Sequence, residues 1–234
     1  AAREVALKTG INQSASWEVG TWRLDGNPSW RLQSGSMKAR LKGDWNDHLK
    51  GKQWSFRIKL KGQGRFMGMK SFSIMRPSIR GMMDEYMYHR LLRSEDILAT
   101  RYDFAPVSVN GAAPRFYAIE EHFRKELVES LGRRESPMLK LDEKALWSAR
   151  ATYNKELEKL PIDQAAEIVP FTPSNLEEDE VFRARFIAAS GLLHALRYET
   201  HPVEDLIDVE KWARFLAIVD LTEARDVTPR SGRT

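Results

Sequence analysis

Five basic side chains fall at alternating positions of three predicted strands: Arg40, Lys42, Arg57, Lys59 and Lys70. Residues two apart on a strand point to the same face, so neighbouring strands can bring these cations together on one concave surface. Phosphate recognition requires several cations and N–H donors that meet on one small anion. The other interpretation is a sheet with one solvated basic face.

The basic residues are concentrated in one part of the chain. Residues 31–80 hold 13 Lys or Arg against two Asp, which gives this segment a net charge of +11. The whole chain carries +4, so the remaining residues together carry −7. This polarisation favours a polyanion or phosphate partner for the first part of the chain.

One acidic residue is a candidate to orient one of these cations, and one junction between predicted elements is a candidate ligand cleft. Glu85 lies on a predicted helix, residues 82–93, that interrupts the strands. A helical glutamate packed against a basic strand can hold a lysine extended toward phosphates, as in protein kinases, although a solvated glutamate is the simpler interpretation. Glu120, Glu121 and His122 lie where predicted strands give way to predicted helices. Such a junction is either a ligand cleft or an ordinary connection.

The elements that must position these residues are mostly strands in the first half of the chain. Alternating patterns predict strands at 37–42, 54–61, 69–75, 102–109 and 115–119. Asn110-Gly111 predicts a hairpin turn between the last two. In the helix at 82–93, Met83, Met87 and Leu91, with Tyr86, predict an apolar stripe.

The second half is predicted to be helical. Helices are expected at 121–131, 144–160, 176–198 and 209–221. Ser174 and Asp208 are the expected N-caps of the last two. The strand-rich half and the helical half together predict the α+β class.

Composition excludes several kinds of site. The chain has no Cys, which excludes disulfides, Cys-ligated zinc and a thiol nucleophile, and its five His share no short spacing typical of a metal site. The sequence contains no run of about 18 apolar residues, which is the pattern that would predict a membrane-spanning helix. The P-loop, G-x-G-x-x-G, H-R-D and D-F-G motifs do not occur in the sequence.

Several short segments, read in order, resemble the CotH kinase family, the atypical protein kinases of bacterial spore coats and secreted proteins. The segments are RLKGDWNDH (40–48), KQWSFRIK (52–59), GMKSFSIMRP (68–77), EYMYHRLL (85–92), RYDF (101–104), YAIEEHF (117–123), PMLKLDE (137–143) and LIDVEKWARFLAIVDL (206–221). The resemblance covers roughly residues 36–222, and the order of the pieces carries more weight than any one of them.

The resemblance implies a protein-kinase-like fold: an antiparallel, strand-rich N-lobe with one helix, a hinge and a helical C-lobe. It also implies binding of ATP with Mg²⁺ or Mn²⁺, and transfer of the γ-phosphate to Ser or Thr of a protein substrate. On this basis Arg57 or Lys59 anchors phosphate, Glu85 orients that cation, and residues 120–122 form the hinge. The implied nucleotide-binding residues are Arg40, Lys42, Arg57, Lys59, Lys70, Glu85, Glu120, Glu121 and His122.

The same resemblance divides the chain into four segments. We expect an N-terminal extension, partly strand, at 1–35, an N-lobe at 36–120, a partial C-lobe at 121–222 and a disordered tail at 223–234. Family members continue into a loop with Asp and His-Asn elements and a metal-binding Asp, whereas Asp226 stands in no matching context. We therefore assign no catalytic residue or metal ligand, and expect phosphoryl transfer by the chain as given to be impaired. The resemblance to this family also implies that the protein is located in the cell envelope or is secreted.

The alternative function is a non-enzymatic module in which residues 31–80 bind nucleic acid or another polyanion. It predicts an affinity that falls steeply with salt and no saturable binding of Mg·ATP. The aromatic residues argue against it, because Trp54, Phe56 and Phe72 alternate away from the basic face as core residues do.

Overall fold

The computed structural model describes residues 2–9, 16–24, 33–43, 46–143, 145 and 166–222. The chain divides into two compact units. Unit 1 consists of Ala1–Arg93, Leu98–His122 and Glu126–Arg133, and unit 2 consists of Ser94–Ile97, Phe123–Lys125 and Arg134–Thr234. A six-stranded antiparallel sheet and several helices confirm the α+β class.

Unit 1 is built on this six-stranded sheet. Its strands are β1 (Glu18–Leu24), β2 (Gln33–Leu41), β3 (Phe56–Leu60), β4 (Ser71–Met75), β5 (Tyr102–Val107) and β6 (Arg115–Glu121). Their order across the sheet is β1-β2-β3-β4-β6-β5. Each of the five predicted strands is present with slightly different ends, and β1 is added at one edge.

One face of the sheet forms the main core of unit 1. Ile58 and Leu60 of β3 are buried there with Phe72 and Ile74 of β4. Cross-strand pairing places Ile58 opposite Phe72, and Ile74 opposite Ile119 of β6. Because side chains alternate along a strand, the polar residues between these apolar ones belong to the opposite face.

The turn between β5 and β6 forms as the sequence predicts. Asn110 and Gly111 both have positive φ, +52° and +75°. The Ala112 N–H donates a hydrogen bond to the Val109 carbonyl at 3.1 Å. Asn and Gly tolerate this left-handed conformation, so the pair closes the hairpin without strain.

Unit 1 also contains helices. They are α1 (Ala2–Thr9), α2 (Asp84–Ser94), α3 (Lys125–Ser130) and the short 3-10 helices Asn46–Leu49 and Pro77–Arg80. The predicted helix at 121–131 begins later than expected, because β6 continues to Glu121.

Helix α2 buries a different face from the predicted one. Tyr88, His89 and Leu92 are its buried residues, whereas Met83 and Met87 are 51% and 47% exposed. His89 stacks on Tyr102 of the sheet, with ring centroids 5.5 Å apart. Contact with the aromatic residues of β5 therefore determines which side of the helix packs, and the methionine stripe faces outward.

Unit 2 contains two strands that the sequence did not predict. They are β7 (Leu139–Asp142) and β8 (Glu167–Pro170), paired antiparallel. The helices of this unit are α4 (Asn175–Glu178), α5 (Glu180–Arg197), α6 (Val203–Leu206) and α7 (Val209–Leu221). The helical second half that the sequence predicts therefore also contains a short two-stranded sheet.

The predicted helix at 176–198 is interrupted at Asp179. This residue has extended backbone angles, and its carboxylate accepts a hydrogen bond from the Phe182 N–H at 2.9 Å, so Asp179 caps α5. Ser174 makes no side-chain capping bond, which corrects that prediction. Asp208 caps α7 as expected, by accepting from the Lys211 N–H.

Two predicted segments cannot be compared with the structure. The helix at 144–160 lies outside the described residues except for residue 145, and the tail at 223–234 lies outside them entirely. Within the described part of the chain, no helix has the length and apolar character needed to cross a membrane.

Candidate functional site

A row of polar residues crosses the sheet of unit 1 opposite the main core. Arg40 pairs with Arg57, Arg57 with Ser73, Ser73 with Glu120, and Glu120 with Tyr102. These residues belong to β2, β3, β4, β6 and β5 in turn, so they share one face of the sheet. We call this the polar face of unit 1.

A second row runs parallel to the first on the polar face. Lys38 of β2 pairs with Lys59 of β3, and Lys59 pairs with Ser71 of β4. The His122 N–H donates to the Ser71 carbonyl at 3.1 Å, which extends the ladder beyond the end of β6. The predicted alternation of Arg57 and Lys59 away from the apolar residues is therefore present in the sheet.

Lys42 and Glu120 form an ion pair on the polar face. The Lys42 Nζ lies 2.5 Å from the Glu120 Oε2, and the two side chains are 10% and 23% exposed. Strands β2 and β6 are separated by β3 and β4, a span of about 14 Å at the usual strand spacing. Contact across this span means that the side chains converge over the polar face.

Burial and the ion pair affect the pKa values of Glu120 and Lys42 differently. Burial alone would raise the pKa of Glu120, but the adjacent Lys42 ammonium reverses this and holds the pKa at about 2. Burial lowers the pKa of Lys42, Glu120 opposes this, and Arg80 and Arg57 lower it further. Glu120 is therefore ionised at neutral pH, and it holds the lysine in a fixed position beside other cations.

His122 joins the two rows through a pair of serine hydroxyls. Its Nδ1 lies 2.9 Å from the Ser71 Oγ, and its Nε2 lies 2.8 Å from the Ser73 Oγ. The Ser71 hydroxyl donates its own proton to the Ile58 carbonyl at 3.2 Å. Ser71 must then accept from Nδ1–H, which leaves Nε2 to accept from the Ser73 hydroxyl.

This arrangement keeps His122 neutral. Burial and the nearby charge of Arg57 lower its pKa to about 3. Lys42 and Lys59 act in the same direction, whereas Glu120 opposes them. At neutral pH the imidazole therefore orients the two serines without adding another positive charge to the face.

Glu85 has a different partner from the expected one. Its Oε1 lies 3.5 Å from the Nε2 of His89, four residues further along α2. The sequence suggested that Glu85 orients Arg57 or Lys59, whereas Glu120 is the acid that holds Lys42 on the polar face. Glu85 still lies close to this face, because its charge helps to raise the pKa of buried Tyr102.

Glu121 belongs to the opposite face of the sheet. It pairs with Phe72 in the register and is only 3% exposed. Its carboxylate accepts from the backbone N–H of Arg101 at 3.2 Å and from both sides of that guanidinium, with the Nε at 2.7 Å. Arg101 also donates to the Met67 carbonyl at 2.8 Å. Glu121 thus fastens the loop before β4 to the sheet.

The register does not place Lys70 on the polar face. Lys70 directly precedes Ser71, and its carbonyl accepts from the Leu60 N–H at 2.9 Å. Because Leu60 belongs to the apolar face, the register places Lys70 one residue out of phase with Lys59 and Ser71. Of the five basic residues predicted to converge, Lys70 is the exception.

Trp17 also contacts residues of the polar face, and it was not identified from the sequence. Its ring lies 4.6 Å from the Lys59 Nζ and 5.3 Å from the Arg40 Cζ. Ser71 and Ser73 were also missed, although their alternation with Phe72 would have placed them beside Arg57 and Lys59. A tryptophan before an edge strand gives no comparable signal in the sequence.

The residues of the polar face suit an anion better than a metal ion. The polar groups described on it are mainly cations and hydroxyls, and the carboxylate of Glu120 is already neutralised by Lys42. Across the described residues, no group of three or more His, Asp or Glu is arranged to hold a metal ion. A polyphosphate fits this donor set, and a bare divalent cation does not.

Comparison with known proteins identifies the family of the chain. A search of curated proteins finds no match. The family model described as CotH kinase protein matches residues 39–232. This range includes β2 from Ala39 onward, the remaining strands of the polar face and the helices of unit 2, so it covers most of the chain. The chain therefore belongs to the CotH kinase family.

Proposed function

We propose that the polar face of unit 1 binds the phosphates of ATP, and that this binding serves transfer of the γ-phosphoryl group to Ser or Thr of a protein. Membership of a kinase family supports the reaction type. The observation that carries the proposal is the ion pair between Lys42 and Glu120, formed on a face that also presents Arg57 and Lys59.

Phosphoryl transfer depends mostly on positioning and on neutralisation of negative charge. Arg57 supplies a planar guanidinium that can bind two phosphate oxygens, and Lys42 and Lys59 supply compact ammonium groups. Glu120 restrains Lys42 in the way that an acid restrains the phosphate-binding lysine of protein kinases. Here the acid comes from strand β6 instead of a helix.

His122 and the two serines have a supporting role in this proposal. Because the imidazole stays neutral, it adds no charge to the face but fixes the hydroxyls of Ser71 and Ser73. ATP supplies the phosphoryl group, and Mg²⁺ or Mn²⁺ enters as the cation that accompanies ATP in solution. No described residue of the polar face is assigned as a metal ligand.

Equilibrium binding tests the proposal more directly than turnover, because turnover also depends on other parts of the chain. Calorimetric titration with Mg·ATP should give saturable one-site binding, and inorganic tripolyphosphate should compete with it. Adenosine, which has no phosphate, should bind far more weakly. If adenosine bound as tightly as ATP, or if ATP did not saturate, the proposal would be wrong.

Binding of a polyanion such as single-stranded nucleic acid is the second candidate function. The position of Trp17 over Arg40 and Lys59 favours it, since stacking rings combined with cations are typical of such surfaces. This function predicts that log Kd rises steeply with log salt over several phosphate contacts. It also predicts that ATP does not displace the nucleic acid at concentrations that saturate a nucleotide site.

A further inference from the structure

Trp17 lies over two cations that belong to different strands. It precedes β1, and its ring contacts Lys59 of β3 and Arg40 of β2. All three residues belong to unit 1. The family model begins at residue 39, so neither Trp17 nor β1 is part of the matched region.

The cations beneath this ring repel their neighbours. Arg40 lies directly opposite Arg57, and Lys38 lies directly opposite Lys59. Like charges opposite each other on adjacent strands destabilise the pairing. The negative π face of Trp17 attracts one member of each pair and so partly offsets the repulsion.

We propose that Trp17 is a positioning residue that holds Arg40 and Lys59 in place for a polyphosphate ligand. The inference rests on the proposed function of the polar face and adds a residue outside the matched family region. A π face attracts a cation as a whole and does not use a particular N–H donor as a carboxylate does. Restraint by the ring therefore engages no N–H donor of either cation.

The energetic benefit comes from ordering two long side chains before the ligand arrives. Immobilising a flexible side chain upon binding costs affinity, and a group that is already held avoids this cost. The ring also excludes water from one side of the cations, which strengthens their attraction for an anion. Loss of the ring should therefore weaken binding without removing any charge.

The experiment is a calorimetric titration of the full chain with inorganic tripolyphosphate. Trp17→Ala should weaken binding about fivefold, the size expected for one or two cation–π contacts. Trp17→Phe should restore affinity to within about twofold, because a phenyl ring keeps the π face. The matched control is Trp54→Ala, since the Trp54 ring contacts Arg3 and Phe56, which packs against the apolar core. It should leave affinity unchanged, and thermal unfolding identifies any variant that fails to fold.

A second arm tests whether Trp17 acts through Lys59. In a Lys59→Met background, Trp17→Ala should cost less than about twofold, because the closer cation is gone. A full fivefold loss in that background would mean a general structural effect and would overturn the inference. Unchanged or tighter binding by Trp17→Ala alone would also overturn it. If the unmodified chain failed to bind tripolyphosphate, the proposed function itself would fall, and this inference with it.

Discussion

The Lys42 ammonium contacts the Glu120 carboxylate at 2.5 Å, although their strands are separated by two others in the sheet. The pair is mostly shielded from water, and its acid is ionised at neutral pH. Arg57 lies on the same face and influences the pKa of Lys42. The ion pair therefore fixes the position of the Lys42 ammonium on the same face as Arg57.

Breaking the pair should lower stability, and removing both charges should restore part of it. Lys42→Met leaves Glu120 without its counter-charge, and we expect the unfolding free energy to fall by about 2 kcal/mol. This is less than the 3–5 kcal/mol of a fully buried pair, because Glu120 remains partly exposed. Urea unfolding measures the change.

The double variant Lys42→Met/Glu120→Gln provides the control for this prediction. It should recover at least half of the lost stability while its affinity for ATP stays low, because the phosphate-binding ammonium is absent. Recovery of ATP binding in the double variant would contradict a direct role for Lys42.

Acid should destabilise the protein through His122. Burial and Arg57 lower the pKa of this residue to about 3 from the ordinary 6.5. Between these values the unfolded chain binds a proton that the folded protein does not, so stability falls as the pH decreases, by up to about 1.4 kcal/mol per pH unit. Glu120, whose pKa is lowered to about 2 from 4.5, adds a loss of the same sign from pH 4.5 downward.

Urea unfolding between pH 4 and 7 tests this prediction with His122→Gln as the comparison. Glutamine keeps hydrogen-bonding capacity but does not titrate, so the variant should lose stability less steeply between about pH 6 and 4. The difference in slope should correspond to about one proton. Identical slopes for the two proteins would show that His122 is not the titrating group.

The two serines should differ in their contributions to stability. Ser73→Ala removes one partner of the His122 ring and should cost about 1 kcal/mol. Ser71→Ala removes a second bond as well, to the Ile58 carbonyl, and should cost about 2 kcal/mol. Exposed Ser78 is the control, and its replacement by Ala should change stability by less than about 0.5 kcal/mol. Equal costs for all three would contradict the hydrogen-bond arrangement.

Replacement of Glu120 and replacement of Glu121, which are adjacent in the sequence, should have different effects on stability and on ATP binding. Glu121→Gln breaks the buried pair with Arg101 and should lower the unfolding free energy by about 3 kcal/mol. The folded fraction should bind ATP as the unmodified protein does. Glu120→Gln should instead weaken ATP binding, because Lys42 loses its restraint. If Glu121→Gln weakened ATP binding and Glu120→Gln did not, ATP would bind on the face that carries Glu121, and the proposed site would be wrong.

The alternation of Arg57 and Lys59 with Ile58 and Leu60 was predictable because strand periodicity is a local property of the sequence. The partner of Lys42 was not, since Glu120 is 78 residues away and meets it only through the order of the strands. The error at Lys70 has a local cause instead. Lys70 lies two residues before Phe72, so strand alternation already placed it on the side of that apolar residue.

The helices show the same division between local and tertiary causes. Asp208 was identified as a cap because the capping signal lies within a few residues of the helix start. The buried side of α2 was missed because the aromatic ring of Tyr102 selects it. Pairing of β7 with β8 joins segments far apart in the sequence, and short strands of this kind have weak local signals.

The most direct test compares two variants that each lose one positive charge. Arg57 lies on the polar face, whereas Lys70 is out of phase with it, so Arg57→Met and Lys70→Met change the overall charge equally but differ at the site. In calorimetric titrations with Mg·ATP, we predict at least about tenfold weaker binding for Arg57→Met and less than about twofold for Lys70→Met. Equal effects of the two variants would contradict a phosphate site on the polar face.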